Sequence, residues 1–249
     1  MNREKQAKET MERLYGKARK IQADHAVDPE FYDIKERLIY GEIYQNGRLD
    51  IRQRHLVTLA VLTAGDHKQE GELAVKAALA DGITPEEIKE VVYQCAPYTG
   101  FPKAERMLQQ INEVLENRSV PLPLLLQGTT TEENRLERGI AAQKSIFGDG
   151  IDTMRANAPE ILKELQDYLS AFCFGDTYTR QGLDIPMREL LTFSVLITLG
   201  GCEPQVKAHI QGNLNVGNTK EILIGAVIQA LPYIGFPRSL NAIQAVMEG

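Results

Sequence analysis

The feature that most restricts what this chain can fold into is that much of it is written twice. "YGEIYQNGRLDIRQRHLVTLAVL" at 40–62 matches "FGDTYTRQGLDIPMRELLTFSVL" at 174–196, with Leu49 and Leu183 standing 134 positions apart. After one inserted residue the match resumes at an offset of 135, where "YTGFPK" at 98–103 answers "YIGFPR" at 233–238 and Gly82 answers Gly217. Self-similarity over such a length means two copies of one fold in tandem. The stretch "NRSVPLPLLLQGTTTEEN" between them is crowded with turn and break formers. It sets an expected boundary near residue 124, with a first copy over 1–124 and a second, carrying the candidate site, over 125–249.

Apolar residues recur at helical spacing in each copy. "MRELLTFSVLITLG" is too continuously apolar for a surface helix, so it predicts a helix buried on most sides and ended by Gly200 and Gly201. "TPEEIKEVVYQCAPYTGFP" and "TKEILIGAVIQALPYIGFP" each open on a threonine N-cap and run helically until proline and glycine stop them. No run alternates at the period of a strand. The fold class expected is all-α, two helical bundles packed pseudosymmetrically. Broad apolar faces of this kind are often completed by a second copy or another subunit, so a homo-oligomer is expected, a trimer of two-repeat chains as first guess.

Composition narrows the partners. A net charge of -6 without basic blocks argues against nucleic acid. "MNREKQAKETMERLYGKARK" has no apolar leader core, and no later uncharged run is long enough to span a bilayer. A cytoplasmic enzyme or binding protein acting on a small molecule is expected, with no membrane partner. Cys95, Cys173 and Cys202 fit neither a disulfide framework nor a zinc site, so no metal is expected.

Candidate chemistry sits in "GGCEPQVKAHIQGNLNVG" at 200–217. Pro204 favours the first turn of a helix, which should begin beside Cys202 or Glu203 and carry Gln205 and His209 on one face. Cys202 at the helix N-terminus would have its thiolate favoured by the dipole. Seven residues of helix put it about 10 Å from His209, too far for a direct pair. Gln205 is placed to bond the imidazole and fix its tautomer. Glu189 in "PMRELL" lies within the apolar run and needs a partner there, which His209 or Arg188 could supply. Facing His209, it would form a base with its orienter. The plainer readings are a surface Glu189 paired with Arg188 or Arg180, an interfacial His209, and a Cys202 that only packs. Cys95 and Cys173 read as packing residues.

The first copy differs at these positions. Arg54 and His55 answer Arg188 and Glu189, His67 answers Cys202, Glu70 answers Gln205, and Ala74 answers His209. The proton-handling pair is therefore expected to be absent there, leaving copy one structural and the site in copy two or between the copies.

"FGDTYTRQGLDIPMRELLTFSVLITLGGCEPQVKAHIQGNLNVGNTKEI" followed by "YIGFP" resembles the carboxymuconolactone decarboxylase family, related to the alkylhydroperoxidase D-like proteins. The resemblance covers the second copy almost end to end and the first more loosely. It implies an all-α fold and obligate oligomers. Decarboxylases of the family convert 4-carboxymuconolactone to 3-oxoadipate enol-lactone and carbon dioxide without a cofactor, and the histidine of the family's helix corresponds to His209. The resemblance thus implies a cofactor-independent decarboxylase acting on a small carboxylated lactone or related oxo acid. His209 would be proton donor, Glu189 its orienter, and Cys202 would line the pocket. Gln205 and Arg180, Arg188 or Arg238 are the candidates for substrate binding, Arg180 first. The peroxidase-like branch uses Cys-x-x-Cys-x-x-x-His, of which Cys202 and His209 are kept while Gln205 replaces the resolving cysteine. A thiol-dependent peroxidase using Cys202 with His209, and a non-catalytic scaffold, are the alternatives.

Overall fold

The computed structural model describes residues 2–16 and 27–249; of the charged N-terminal stretch, residues 1 and 17–20 lie outside the described residues. Helices form all of its regular structure, with no strand among the described residues. In the first copy these are α1 (Arg3–Tyr15), α2 (Pro29–Gly41), a 3-10 turn (Ile43–Gln45), α3 (Ile51–Gly65), α4 (Lys68–Ala80), α5 (Pro85–Thr99) and α6 (Phe101–Asn117). The second has α7 (Arg135–Phe147), α8 (Gly150–Ala156), α9 (Glu160–Tyr168), a π-helix (Leu169–Tyr178), α10 (Ile185–Leu199), α11 (Glu203–Asn215) and α12 (Lys220–Glu248).

Local chemistry explains the helix ends. Asp50 and Thr84 each close a capping box, with Gln53 and Glu87 respectively. Asp184 and Thr219 accept the backbone N–H of Met187 and Ile222. Glycine, not proline, does the stopping: Pro97 lies inside the last turn of α5, which ends at Gly100 with φ 79°. The matching Pro232 lies inside α12, and Gly235 with φ 74° bends that helix before it continues. Each proline removes one backbone hydrogen bond without ending its helix, whereas the residue with positive φ that follows is nearly glycine's alone.

The continuous apolar runs become the two central helices. Every residue of α3 from Arg54 to Ala64 is buried, and every residue of α10 from Met187 to Thr198. They pack on each other, and α5 of copy one packs on α10 while α12 of copy two packs on α3. One apolar core therefore runs through both copies, so the apolar face of each is completed by the other within the chain. Two reciprocal bridges fix the register. Arg54 Nη1 donates to Gln229 Oε1 at 2.6 Å and Arg188 Nη1 to Gln94 Oε1 at 3.1 Å. Each glutamine then donates to the threonine one turn beyond its arginine partner, Gln229 to Thr58 at 2.9 Å and Gln94 to Thr192 at 3.1 Å. By length and composition α12 would be able to cross a bilayer, but its first half places Leu223, Ala226, Val227 and Ala230 in this core.

The duplication reaches further than the sequence match. α1 and α7 are equivalent, since Arg3 pairs with Glu42 as Arg135 does with Asp176. Close helix crossings accompany both pairs. A Cβ on Gly41 would strike the Arg3 carbonyl, and one on Gly139 would strike the Ser170 carbonyl of the π-helix. Gly139→Ala is expected to push α7 off the π-helix and destabilise the fold by about 3 kcal/mol, the upper part of the range for overpacking. Thermal unfolding followed by circular dichroism checks this, and an unchanged melting temperature would refute the tight crossing.

Candidate active site between the two copies

Glu189 sits on α10 with no exposed surface, so its charge must be satisfied internally. His209 of α11 supplies one partner, its Nδ1 lying 2.9 Å from Glu189 Oε2. The other oxygen accepts the Tyr178 hydroxyl at 2.5 Å. Tyr178 lies 2.8 Å from Thr192 Oγ1, which accepts from Gln94 Nε2. Donors thus run in one direction from Gln94 through Thr192 and Tyr178 into the carboxylate, while the imidazole approaches from the other side. A carboxylate accepting at both oxygens holds the proton of His209 on Nδ1, and Nε2 makes no hydrogen bond among the described residues.

Packing locks this arrangement. Asn213 Nδ2 donates to the carbonyls of His209 at 2.7 Å and Glu189 at 3.0 Å, tying α11 to α10. The imidazole stands edge-on to Phe147 and Tyr98, with ring centroids 5.3 and 6.0 Å away. Phe174 stacks on Tyr178 at 4.8 Å. Gly212 is required beside the carboxylate, because a Cβ there would lie 2.5 Å from Glu189 Oε2. Burial pushes the Tyr98 and Tyr178 hydroxyls well above the ordinary phenol range, with Cys173 adding to it for Tyr98 and Glu189 for Tyr178, so both stay protonated. Cys173, which donates to the Tyr98 hydroxyl at 3.3 Å, is pushed up to about 12 by burial.

The residues singled out in the sequence are not all gathered here. Gln205 is exposed and makes no hydrogen bond to His209; Glu189 takes the tautomer-fixing position, because its oxygen reaches Nδ1 from the neighbouring helix while Gln205 turns to solvent. Arg188 is fully buried and Arg180 half-buried, and both pair with Glu90 of copy one. Arg180 binds Glu90 Oε1 through Nε at 2.9 Å and Nη2 at 2.8 Å, and Arg188 Nη2 reaches Oε2 at 2.9 Å. Glu90 thus occupies the Nε and Nη2 edge of Arg180 and meets Nη2 of Arg188, so the charge of both arginines is already countered by an internal carboxylate. Arg238 donates to the Thr198 carbonyl and lines a different cavity, of about 280 Å³, together with Cys202.

Cys202 is the N-cap residue of α11, as Pro204 predicts, yet His209 is not among the residues lining its cavity. Its Sγ donates to the Leu196 carbonyl at 3.3 Å. Burial first and Glu203 second raise its pKa, with Arg238 opposing, which reverses the direction expected from the helix dipole alone. Alkylation of Cys202 is therefore expected to accelerate only above the ordinary thiol value of about 8.5. Iodoacetamide kinetics across pH, with Cys202→Ser as control, test this, and a midpoint below neutrality would overturn it.

Copy one also departs from expectation, for it does hold a histidine–carboxylate pair. His55, standing where Glu189 stands, bonds Asp81 at 2.7 Å in a buried position that Arg13 also reaches. Burial lowers the His55 pKa and Asp81 opposes that. The pair was not legible because Asp81 follows α4 and has no role in the aligned motif.

Tyr98, Tyr178, Phe147 and Glu90 are residues of the site and its support that motif reading missed. The signal for Tyr98 was present in the recurrent "YTGFP" and "YIGFP" phrases. Each delivers a tyrosine across the interface to the other copy.

The family model described as Carboxymuconolactone decarboxylase family matches residues 29–113 and again 163–248. A 4-carboxymuconolactone decarboxylase of Acinetobacter baylyi is 27% identical over 118 residues, covering 47% of this chain and 87% of its own length. A nitrosuccinic acid decarboxylase of Metarhizium robertsii is 27% identical over 108 residues, covering 43% and 75% respectively. An uncharacterized 15.0 kDa protein of Paracoccus denitrificans is 32% identical over 72 residues, covering 28% and 54%. The first two matches, over 118 and 108 residues, each extend over about the length of one copy. With two consecutive matches over an all-helical pseudosymmetric fold, the chain belongs to the carboxymuconolactone decarboxylase family in a tandem two-copy form.

Proposed function

We propose that the chain is a cofactor-independent decarboxylase of a small carboxylated lactone or related oxo acid, with His209 as the proton donor. The observation that carries this reading is the buried contact of His209 Nδ1 with Glu189 at 2.9 Å, with Tyr178 holding the second carboxylate oxygen. Loss of carbon dioxide breaks the bond from the carboxyl carbon to the substrate. Its electron pair passes into a conjugated carbonyl as an enolate. The proton on His209 Nε2 then goes to carbon, and the imidazole regains one from solvent. Glu189 offsets the charge of the doubly protonated ring, which is the task of an orienting carboxylate. The aromatic walls from Phe147, Tyr98 and Phe174 suit a step that converts a carboxylate into neutral carbon dioxide.

The decarboxylase names of two relatives, at 27% identity each, support the reaction class. Cys202, with its raised pKa and its separate cavity, lends no support to thiol peroxidation. The test is carbon dioxide release from a panel of carboxylated lactones and 3-oxo acids. Turnover is expected to survive Cys202→Ser and to be lost in His209→Ala. Peroxide reduction that needs Cys202, with no decarboxylation of any panel member, would sink the proposal.

A further inference from the structure

A cavity of about 540 Å³ in copy one occupies the position that pseudosymmetry assigns to the His209 site. Its volume falls within the range of small-molecule sites. Tyr44 and Thr58 line it where Tyr178 and Thr192 stand in copy two, and Tyr233 enters from the other copy as Tyr98 does. Ala74 replaces His209 and leaves the imidazole's space empty. Tyr15 and Tyr40 take the places of Phe147 and Phe174, turning two apolar walls into hydroxyl-bearing ones.

The hydroxyls mark the difference between a cavity and a packed relic. In copy two Tyr178 donates to Glu189 and Tyr98 accepts from Cys173. In copy one those partners have become His55, which is turned to Asp81, and Ile39, which has nothing to donate. Tyr44 and Tyr233 consequently have no hydrogen-bond partner for their hydroxyls among the described residues, although both line the cavity. Both residues are only partly buried and line the cavity, so their hydroxyls are free to donate to a ligand oxygen placed there. Lys35, the lysine that lines the cavity, is already engaged with Glu70 at 3.2 Å and is not free for an anionic ligand. Such a lining disfavours an anion.

We infer that this cavity is a second small-molecule site, taking an uncharged ring-bearing ligand whose hydroxyl or carbonyl oxygen meets Tyr44 and Tyr233. With Ala74 in place of the histidine it binds without proton transfer, and it does not depend on the reading given to His209. The site differs in ligand chemistry from its counterpart, which is proposed to take a carboxylate.

Calorimetric titration of the full chain with 4-methylphenol and with 4-methylbenzoate tests this. Saturable binding of 4-methylphenol is expected, with 4-methylbenzoate at least about tenfold weaker. Ala74→Phe fills the cavity and is expected to weaken 4-methylphenol at least about tenfold. The double variant Tyr44→Phe, Tyr233→Phe removes only two oxygens and should weaken it by about three- to tenfold. If Ala74→Phe loses its helical circular dichroism, the tyrosine pair decides alone. Absence of saturable binding, 4-methylbenzoate binding as tightly, or affinity that these variants leave untouched would each overturn the inference.

Discussion

Glu90→Ala is expected to destabilise the protein by about 3–5 kcal/mol and to lower its melting temperature by on the order of 10 °C. Glu90 is the shared anion of a clamp between the copies, received by Arg180 and by Arg188. Arg188 has no exposed surface, and burial already lowers its pKa against the opposing pull of Glu90. Without the carboxylate it would keep only neutral acceptors, namely the carbonyls of Arg180 and Gln181 and the Gln94 side chain. An uncompensated interior charge of that kind is among the larger penalties a single substitution can create. Glu90→Gln keeps an acceptor oxygen and should lose less. Arg180→Ala should also lose less, because that side chain is 17% exposed and the buried pair survives. Equal melting temperatures for wild type and Glu90→Ala would refute the clamp.

His209→Ala is expected to lower kcat by about 10²–10⁴-fold on any substrate the chain decarboxylates, with a much smaller change in KM. The side chain contributes a proton only as the transition state resolves, so its loss falls on the chemical step. Glu189→Gln removes the charge that compensates the imidazolium and should also reduce kcat. Tyr178→Phe leaves both charged groups but frees Glu189 Oε1, which accepts its hydroxyl at 2.5 Å. As a positioning change it should displace the pH profile of kcat as well as its height, whereas a merely structural role would leave the profile in place. Full kcat in His209→Ala would remove the histidine from the mechanism.

Much of the fold was open to sequence reasoning because the duplication and the apolar period are linear properties. The unbroken run at 187–198 could only be an interior helix, and a carboxylate inside it had to have a partner. His209 and Arg188 both stood open as that partner, and the packing of α11 on α10 gave the place to His209. Glu90 was not found, because "PEEIKEVV" reads as the acidic first turns of an ordinary surface helix. Its burial depends on α10 of the other copy lying against α5. Arg180 and Arg188 were assigned to substrate for the same reason: an arginine near a motif looks unclaimed until the acid that claims it is placed.

The sequence by itself determined that there are two copies, that both are helical, and which helix carries the histidine, since periodicity, caps and glycine punctuation act over a few residues. Tertiary structure alone decided which copy supplies each wall of the site. It placed Tyr98 beside His209 and Tyr233 in the opposite cavity, gave Gln205 to solvent, and moved Cys202 into a separate pocket. Those outcomes rest on how the helices of one copy cross those of the other, and such crossings arise from side-chain packing summed over both surfaces, which no local pattern encodes.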